Sequence, residues 1–221
     1  MTRDRANFVS YLFILVTVAV SAYLYPSLPD PMPTHWNVQG EVDAWMPKPW
    51  GVIILPLATI LVFVIMRLVP VLSPKRYRVG PYNKFLNVFQ VAMVAFMSFV
   101  SIVVMLEAKG VDVHINQMVF AALGILFIIT GSYFGALRKN FFLGIRTPWT
   151  LTNDEVWVRT HRLGGRLFIL MGLIFLLGAL YPVPPGWIIG TVFVLAFVPV
   201  VYSYFLYRRV ENFGDEGGGD V

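Results

Sequence analysis

Residues able to do chemistry are scarce in this sequence, and the first group lies between Thr34 and Lys48. This segment holds His35, Glu41 and Asp43. Imidazole and carboxylate groups are ligands for divalent metals such as Zn²⁺, so one interpretation is a metal site. The other is that these side chains form hydrogen bonds that hold an irregular loop in shape. Three ligands without a spacing such as His-x-x-x-His form a weak motif, which favours the second interpretation.

The second group lies in segment 140–165, which is basic and aromatic. One interpretation is a binding surface or pocket. The other is an interfacial elbow whose Arg and Trp side chains anchor a helix to anionic lipid. On physical grounds alone, this second interpretation is favoured. No Ser, Asp or second His lies at a spacing from His161 that indicates a catalytic triad, so a hydrolytic triad is not supported. The residues that would build the pocket are Arg146, Trp149, Trp157, His161 and Arg162.

Composition places both groups in an integral membrane protein. Hydrophobic residues make up 57% of the 221 residues and charged residues only 13%. A soluble domain carries about 25% charged residues. The apolar residues form long uncharged runs, which are typical of membrane spans. The absence of cysteine excludes disulfide frameworks, thiolate metal sites and cysteine nucleophiles.

Six apolar runs are long enough to cross a bilayer, whose hydrocarbon core needs about 20 helical residues. The last two come from one uncharged stretch, Leu167–Tyr207, which is too long for one span. Pro182, Pro184, Pro185 and Gly186 divide it as a tight hairpin. We therefore predict an all-α integral membrane protein, a six-transmembrane-helix bundle. Its spans are Phe8–Tyr25, Trp50–Arg67, Phe85–Leu106, Ile115–Leu137, 165–181 and 187–207.

Basic residues predict the orientation of these spans. Fifteen Lys and Arg residues lie in the N-terminus, the 67–84 and 138–166 loops and the C-terminal tail, against Lys48 and Lys109 on the other side. Basic residues concentrate on the cytoplasmic side of a membrane. This predicts a multi-pass plasma-membrane protein with both termini in the cytoplasm. It has a structured extracellular loop at 26–49 and a cytoplasmic elbow at 138–166.

Local signals refine the two loops. The prolines between residues 26 and 33 favour extended backbone, and the Asn37–Gly40 segment can turn the chain. Thr152 and Glu155 form a capping-box pattern, so a helix should start there and continue into the fifth span. The acidic, glycine-rich tail, 211–221, is typical of disorder.

The spans carry little that could do chemistry at membrane depth. Their middles contain no Asp, Glu, Lys, Arg or His, which argues against a proton relay or an intramembrane protease. No inverted repeat supports a transporter. The fourth span contains Gly124, Gly131 and Gly135, which allow close helix approach, either between two copies or within the monomer.

Two motifs resemble a known family. The run from Asn140 to Leu151, with Trp157 and Thr160-His161-Arg162, is similar to the signature of the SdpI family of membrane immunity proteins. The segment from Pro33 to Asp43 resembles the small domain DUF1648, which precedes that signature in many members. Together the motifs predict a DUF1648-like region at 1–72, an SdpI-like membrane region at 73–210 and a disordered tail at 211–221.

The resemblance implies a function that composition does not. The family's namesake protects a spore-forming bacterium against its own secreted killing protein, and it holds a DNA-binding repressor at the membrane. The implied partners are thus the lipid bilayer, a secreted toxin protein or peptide and a cytoplasmic transcriptional repressor, without direct contact to nucleic acid. The resemblance implies no catalytic reaction and no cofactor. The alternative is a metal-dependent membrane enzyme or metal-binding protein using His35, Glu41 and Asp43.

Two sets of binding residues follow, and neither includes a catalytic or metal-binding residue. The predicted orientation puts them on opposite membrane faces, separated by about 30 Å of hydrocarbon. The stronger set, in the cytoplasmic elbow, is Arg146, Thr147, Pro148, Trp149, Trp157, Thr160, His161 and Arg162. The weaker set, in the extracellular loop, is His35, Asn37, Gly40, Glu41 and Asp43.

Overall fold

The computed structural model describes residues 1–37, 39–72, 84–140, 142–181 and 183–211. Within these ranges the protein is mostly helical and has one two-stranded sheet. A short 3-10 turn, Tyr25–Ser27, follows the first helix. The other elements are α1 (Arg3–Leu24), β1 (Met32–Trp36), β2 (Val42–Met46), α2 (Lys48–Leu72), α3 (Lys84–Ala108), α4 (Ile115–Phe134), α5 (Pro148–Thr152), α6 (Asp154–Leu180) and α7 (Pro185–Val210).

Six of these helices are long and apolar enough to cross a membrane, namely all except the five-residue α5. This confirms the six predicted spans. Helix α6 begins at Asp154 and continues to Leu180, so the helix that starts in the elbow does run into the fifth span. Most of the predicted 67–84 loop and the tail beyond residue 211 lie outside the described residues.

The start of α6 differs by one residue from the prediction. Asn153 is its N-cap, because the Asn153 side-chain oxygen accepts hydrogen bonds from the backbone N–H groups of residues 155 and 156. The predicted capping box between Thr152 and Glu155 is therefore wrong. Thr152 still belongs to α5, and its hydroxyl donates to the carbonyl oxygen of Pro148 at 2.9 Å. An N-cap residue has extended backbone, as Asn153 does, whereas Thr152 is the last helical residue of α5.

Helices α4 and α6 meet backbone to backbone through glycines. A Cβ atom on Gly131 would lie 2.5 Å from the carbonyl oxygen of Gly165, and one on Gly172 would lie 2.6 Å from that of Gly124. Small residues allow this approach between membrane helices. Gly124 and Gly131 thus pack within the monomer, whereas Gly135 lies at ordinary contact distance from a side chain of α6.

Helix α1 buries a mostly small and polar face. Several large apolar side chains of this helix, such as Phe8 and Leu15, are exposed. The amide nitrogen of Gln90 on α3 donates to Asn7 Oδ1 and to Ser10 Oγ, both at 3.2 Å. Polar side chains of this kind hold membrane helices together. The buried residues of α1 are Ala6, Ser10, Thr17, Ser21 and Leu24.

The bundle has two distinct ends, which we call the hairpin end and the elbow end. An apolar cluster under β1 and β2 defines the hairpin end and includes Met32, Met105 and Ile115. A second cluster at the elbow end includes Phe134 and Trp157. Helix α4 contributes to both clusters, and its 20 residues are about 30 Å long. The two predicted sets of binding residues therefore lie at opposite ends of the bundle.

Candidate functional site at two ends of the bundle

The segment predicted to be a structured extracellular loop contains a β-hairpin. Strands β1 and β2 pair antiparallel, with Met32 opposite Met46 and Trp36 opposite Val42, and the register is irregular on either side of His35. Met32 is fully buried and packs within the hairpin-end cluster, against the backbone of Gly51. This contact ties the hairpin to the start of α2.

The hairpin turn is built by Asn37 and Gly40. The Asn37 Oδ1 atom accepts the backbone N–H groups of Gln39 and Glu41, and the Gly40 N–H donates to the Asn37 carbonyl. Gly40 has φ +84°, a conformation that glycine adopts at little cost. The Asn116 amide at the start of α4 donates to the same carbonyl at 3.4 Å. Asn37 and Gly40 thus position the turn.

The three candidate metal ligands of the hairpin do not converge. His35 Nδ1 lies 2.5 Å from Asp43 Oδ1, whereas Glu41 Oε2 accepts a hydrogen bond from the Asn37 side-chain amide at 3.1 Å. Within the described residues no three His, Asp and Glu side chains gather as a metal site. The metal-dependent alternative is therefore without support. Glu41 serves the turn, while His35 and Asp43 lie across the two strands and form an exposed pair.

A second His–Asp pair lies at the same end and escaped the sequence analysis. His114 Nδ1 lies 2.5 Å from Asp112 Oδ1, and both side chains are exposed. His114 has φ +50° and precedes α4. The Asp-x-His spacing is the only signal that could have pointed to it. The hairpin end thus presents two hydrogen-bonded imidazoles to its surroundings.

The elbow is held by a hydroxyl network around α5. The Thr147 hydroxyl caps α5 by accepting the Thr150 N–H, and the Thr150 hydroxyl accepts the Thr147 N–H in return. The Thr150 hydroxyl donates to the carbonyl of Ile145 at 2.8 Å. Thr147 also reaches Ser203 on α7, with 3.0 Å between the two hydroxyl oxygens. The network fixes α5 between α7 and the chain that joins α4 to α5, residues 135–147, which we call the connector.

His161 is the centre of the elbow, and its contacts define a neutral imidazole. Its Nδ1 donates to the carbonyl of Trp157 at 2.8 Å, and its Nε2 accepts the backbone N–H of Ile145 at 3.1 Å. Since Nε2 accepts, it carries no proton in this arrangement. The ring stacks on Trp157 with 4.0 Å between centroids and also contacts Phe134. His161 has no accessible surface, so it supports the connector and cannot reach a ligand in this conformation.

Gly144 allows the connector to pass over His161. Its φ is +103°, which L side chains rarely adopt, and a Cβ atom there would collide with the imidazole Nε2. The indole N–H of Trp157 donates to the carbonyl of Leu137 at 2.8 Å, so the same helix face also holds the end of α4. This face of α6 therefore holds the connector at two places, the carbonyl of Leu137 and the N–H of Ile145.

Burial divides the stronger set of candidate residues in two. Thr147, Trp157, Thr160 and His161 are buried and act as scaffold. Thr160 Oγ1 has no hydrogen-bond partner among the described residues. The exposed members are Arg146, Pro148 and Arg162, while Trp149 is half-buried with its ring 5.1 Å from that of Tyr204. Only the exposed and half-buried members could contact a partner without rearrangement.

The exposed face of the elbow is electropositive. Asp154 and Glu155 are neutralised by ion pairs with Lys139 at 2.8 Å and Arg159 at 2.7 Å. Arg162, one turn further along α6, is exposed and makes no ion pair within the described ranges. Guanidinium groups in this setting bind carboxylates or phosphates. The arrangement can therefore hold an anionic surface, either lipid or protein.

Comparison with known proteins gives separate family matches for the elbow and for the hairpin. The family model of the SdpI/YfhL protein family matches residues 136–203, which contain the elbow. The model of a domain of unknown function, DUF1648, matches residues 12–60, which contain the hairpin. The chain is 23% identical to the immunity protein SdpI of Bacillus subtilis (strain 168) over 212 residues, 94% of this chain and 99% of that protein. No solved structure matches. The chain is thus similar to the SdpI/YfhL family over residues 136–203 and to DUF1648 over residues 12–60, which confirms the resemblance read from its motifs.

Proposed function

We propose that this chain is a membrane immunity protein that gives its cell resistance to a secreted antimicrobial toxin. The observation that carries the proposal is the similarity to the Bacillus subtilis immunity protein, which extends over nearly the full length of both chains. A shared region of that extent includes the hairpin, the elbow and all six membrane helices. We propose the regions 1–72 and 73–210 as its two parts, because the two family matches fall on either side of that boundary.

We propose that the hairpin end faces the outside of the plasma membrane and the elbow end the cytoplasm. The distribution of charge supports this orientation, because the elbow carries Arg146, Arg159 and Arg162, whereas the other side has only Lys48 and Lys109. Asn87, at the elbow end of α3, donates to the carbonyl of Met1. The start of α1 therefore lies at the elbow end, in agreement with a cytoplasmic N-terminus.

In this orientation the two ends have different partners. A secreted toxin meets the hairpin first, where the His35–Asp43 pair and the exposed indole of Trp45 offer polar and aromatic contacts. A cytoplasmic transcriptional repressor would meet the elbow, whose exposed Arg146 and Arg162 suit an acidic protein face.

The first test is survival of a toxin-sensitive bacterium that expresses this chain and is challenged with the secreted toxin of the SdpI system. We expect the wild-type chain to protect. Arg162→Ala, which removes an exposed arginine that makes no ion pair among the described residues, should abolish protection if the elbow takes part, at unchanged abundance in the membrane. Arg159→Ala is the matched control, because this arginine lies on the same helix but is neutralised by Glu155.

The hairpin is tested in the same assay with His35→Ala and Asp43→Ala, and His114→Ala serves as the control from the neighbouring pair. Loss of protection in the first two alone would assign toxin contact to the hairpin. If the wild-type chain is abundant in the membrane and gives no protection, the immunity proposal is contradicted for that toxin.

A further inference from the structure

Helices α3 and α4 enclose an apolar groove that lies between the hairpin end and the elbow end of the bundle. Its volume is about 210 Å³, and its floor contains alanines from both helices, Ala92 and Ala95 on α3 and Ala121 and Ala122 on α4. Alanine methyl groups leave the space between two helices unfilled. Phe99 and Ile125 line the groove and are exposed, so it opens toward the bilayer.

A cation lies at the elbow end of the same two helices. The ammonium of Lys84, the first residue of α3, is 5.2 Å from the centre of the Tyr133 ring near the end of α4. Lys84 and Ala95 are eleven residues apart, which is about three helical turns, so they share one face of α3. Tyr133 and Ala122 are also eleven apart and share one face of α4. The cation and the groove are therefore in line.

The depth of the groove matches one leaflet of a bilayer. At 1.5 Å per residue, Ala92 lies about 12 Å and Phe99 about 22 Å from Lys84 along α3. A bilayer is about 40–45 Å thick with its headgroup regions, so the distance from the headgroup surface to the middle of the membrane is about 20–22 Å. An acyl chain whose headgroup lies at Lys84 would thus enter the groove and end near the middle of the membrane.

We propose that this groove is a binding site for an anionic phospholipid, with its phosphate at Lys84 and one acyl chain along the alanines. A helix of a second copy is about 10 Å wide with its side chains and does not fit a recess of this size. A lone apolar chain does fit, and the ammonium beside Tyr133 at the head of the groove selects a negative headgroup. A tyrosine near the membrane interface is well placed to contact that headgroup.

The test is native mass spectrometry of the purified full chain titrated with phosphatidylglycerol or with phosphatidylcholine of the same acyl chains. We expect phosphatidylglycerol to bind several-fold more tightly. Lys84→Gln should remove most of that preference, since one basic residue contributes about 1 kcal/mol toward anionic lipid, or about fivefold. Ala122→Phe, which fills the groove, should weaken both lipids. The matched controls are Lys109→Gln at the hairpin end and Val198→Phe on the exposed face of α7.

The outcomes separate the alternatives. Equal binding of the two lipids, or a preference unchanged by Lys84→Gln, would overturn the anionic headgroup site. Lipid binding that is unchanged by Ala122→Phe would show that the acyl chain does not lie in the groove. If the wild-type chain forms dimers and Ala122→Phe disrupts them, the groove binds a second copy of the chain and not a lipid, which contradicts the proposal. Should Ala122→Phe fail to fold, the Lys84→Gln and Lys109→Gln pair still decides the proposal, because both side chains are exposed and neither substitution fills the space between helices.

Discussion

The Nε2 atom of His161 accepts the backbone N–H of Ile145 at 3.1 Å, across 16 residues of sequence. This hydrogen bond joins the connector to the start of the fifth span. We expect His161→Ala to lower the free energy of unfolding by about 2–4 kcal/mol, because it leaves a cavity beside Trp157 and a buried donor without a partner. Thermal unfolding in detergent measures the effect. Val158→Ala, on the exposed side of the same helix, is the control, and equal stability of the two variants would show that the bond contributes little.

The glycine contact between α4 and α6 predicts a sharp steric effect. Gly131→Ala places a methyl group against the carbonyl of Gly165, and overpacking of this kind costs about 1–3 kcal/mol. Gly190→Ala on α7 has nothing within 4 Å of the new methyl group, so it should be neutral or slightly stabilising. Comparing the melting temperatures of the two variants checks this. A stable Gly131→Ala protein would mean that the helices separate more easily than their packing indicates.

The polar contact between α1 and α3 should decide how firmly the first helix is attached. Gln90→Leu removes the donors to Asn7 and Ser10, and polar contacts between membrane helices contribute about 0.6–1.7 kcal/mol. We expect faster proteolysis within α1 and a lower melting temperature. Gln117→Leu, an exposed glutamine at the start of α4, provides the comparison. Identical proteolysis in both variants would assign the attachment of α1 to apolar contacts.

The proposed orientation can be tested directly because the chain contains no cysteine. A single cysteine at Gln39, in the hairpin turn, should react with a membrane-impermeant maleimide in intact cells. One at Thr152, in the elbow, should react only after the membrane is opened. Both positions are exposed, so access to the reagent depends only on the side of the membrane. The reverse labelling pattern would invert the topology and exchange the partners proposed for the two ends.

The six spans and the continuous helix through the elbow were predictable from the amino-acid order, because both depend on properties local along the chain. An uncharged run of about 20 residues must be a helix in lipid, where every backbone polar group needs an internal partner. The two motif segments were also visible, since their prolines, glycines and tryptophans are unusual at that spacing. The Thr152 cap was wrong because two adjacent residues both suit that position, and the end of α5 decides between them.

The roles of the individual candidate residues depended on contacts between distant parts of the chain. His161 and Arg162 are neighbours in sequence, yet the first is buried under the connector and the second is exposed. A soluble helix would reveal its buried face by its apolar stripe. In a membrane helix the lipid-facing side is equally apolar, and α1 in fact exposes Phe8 while it buries Ser10. Hydrophobicity therefore locates each span, whereas the helices packed beside it determine which residues support the elbow and which can meet a partner.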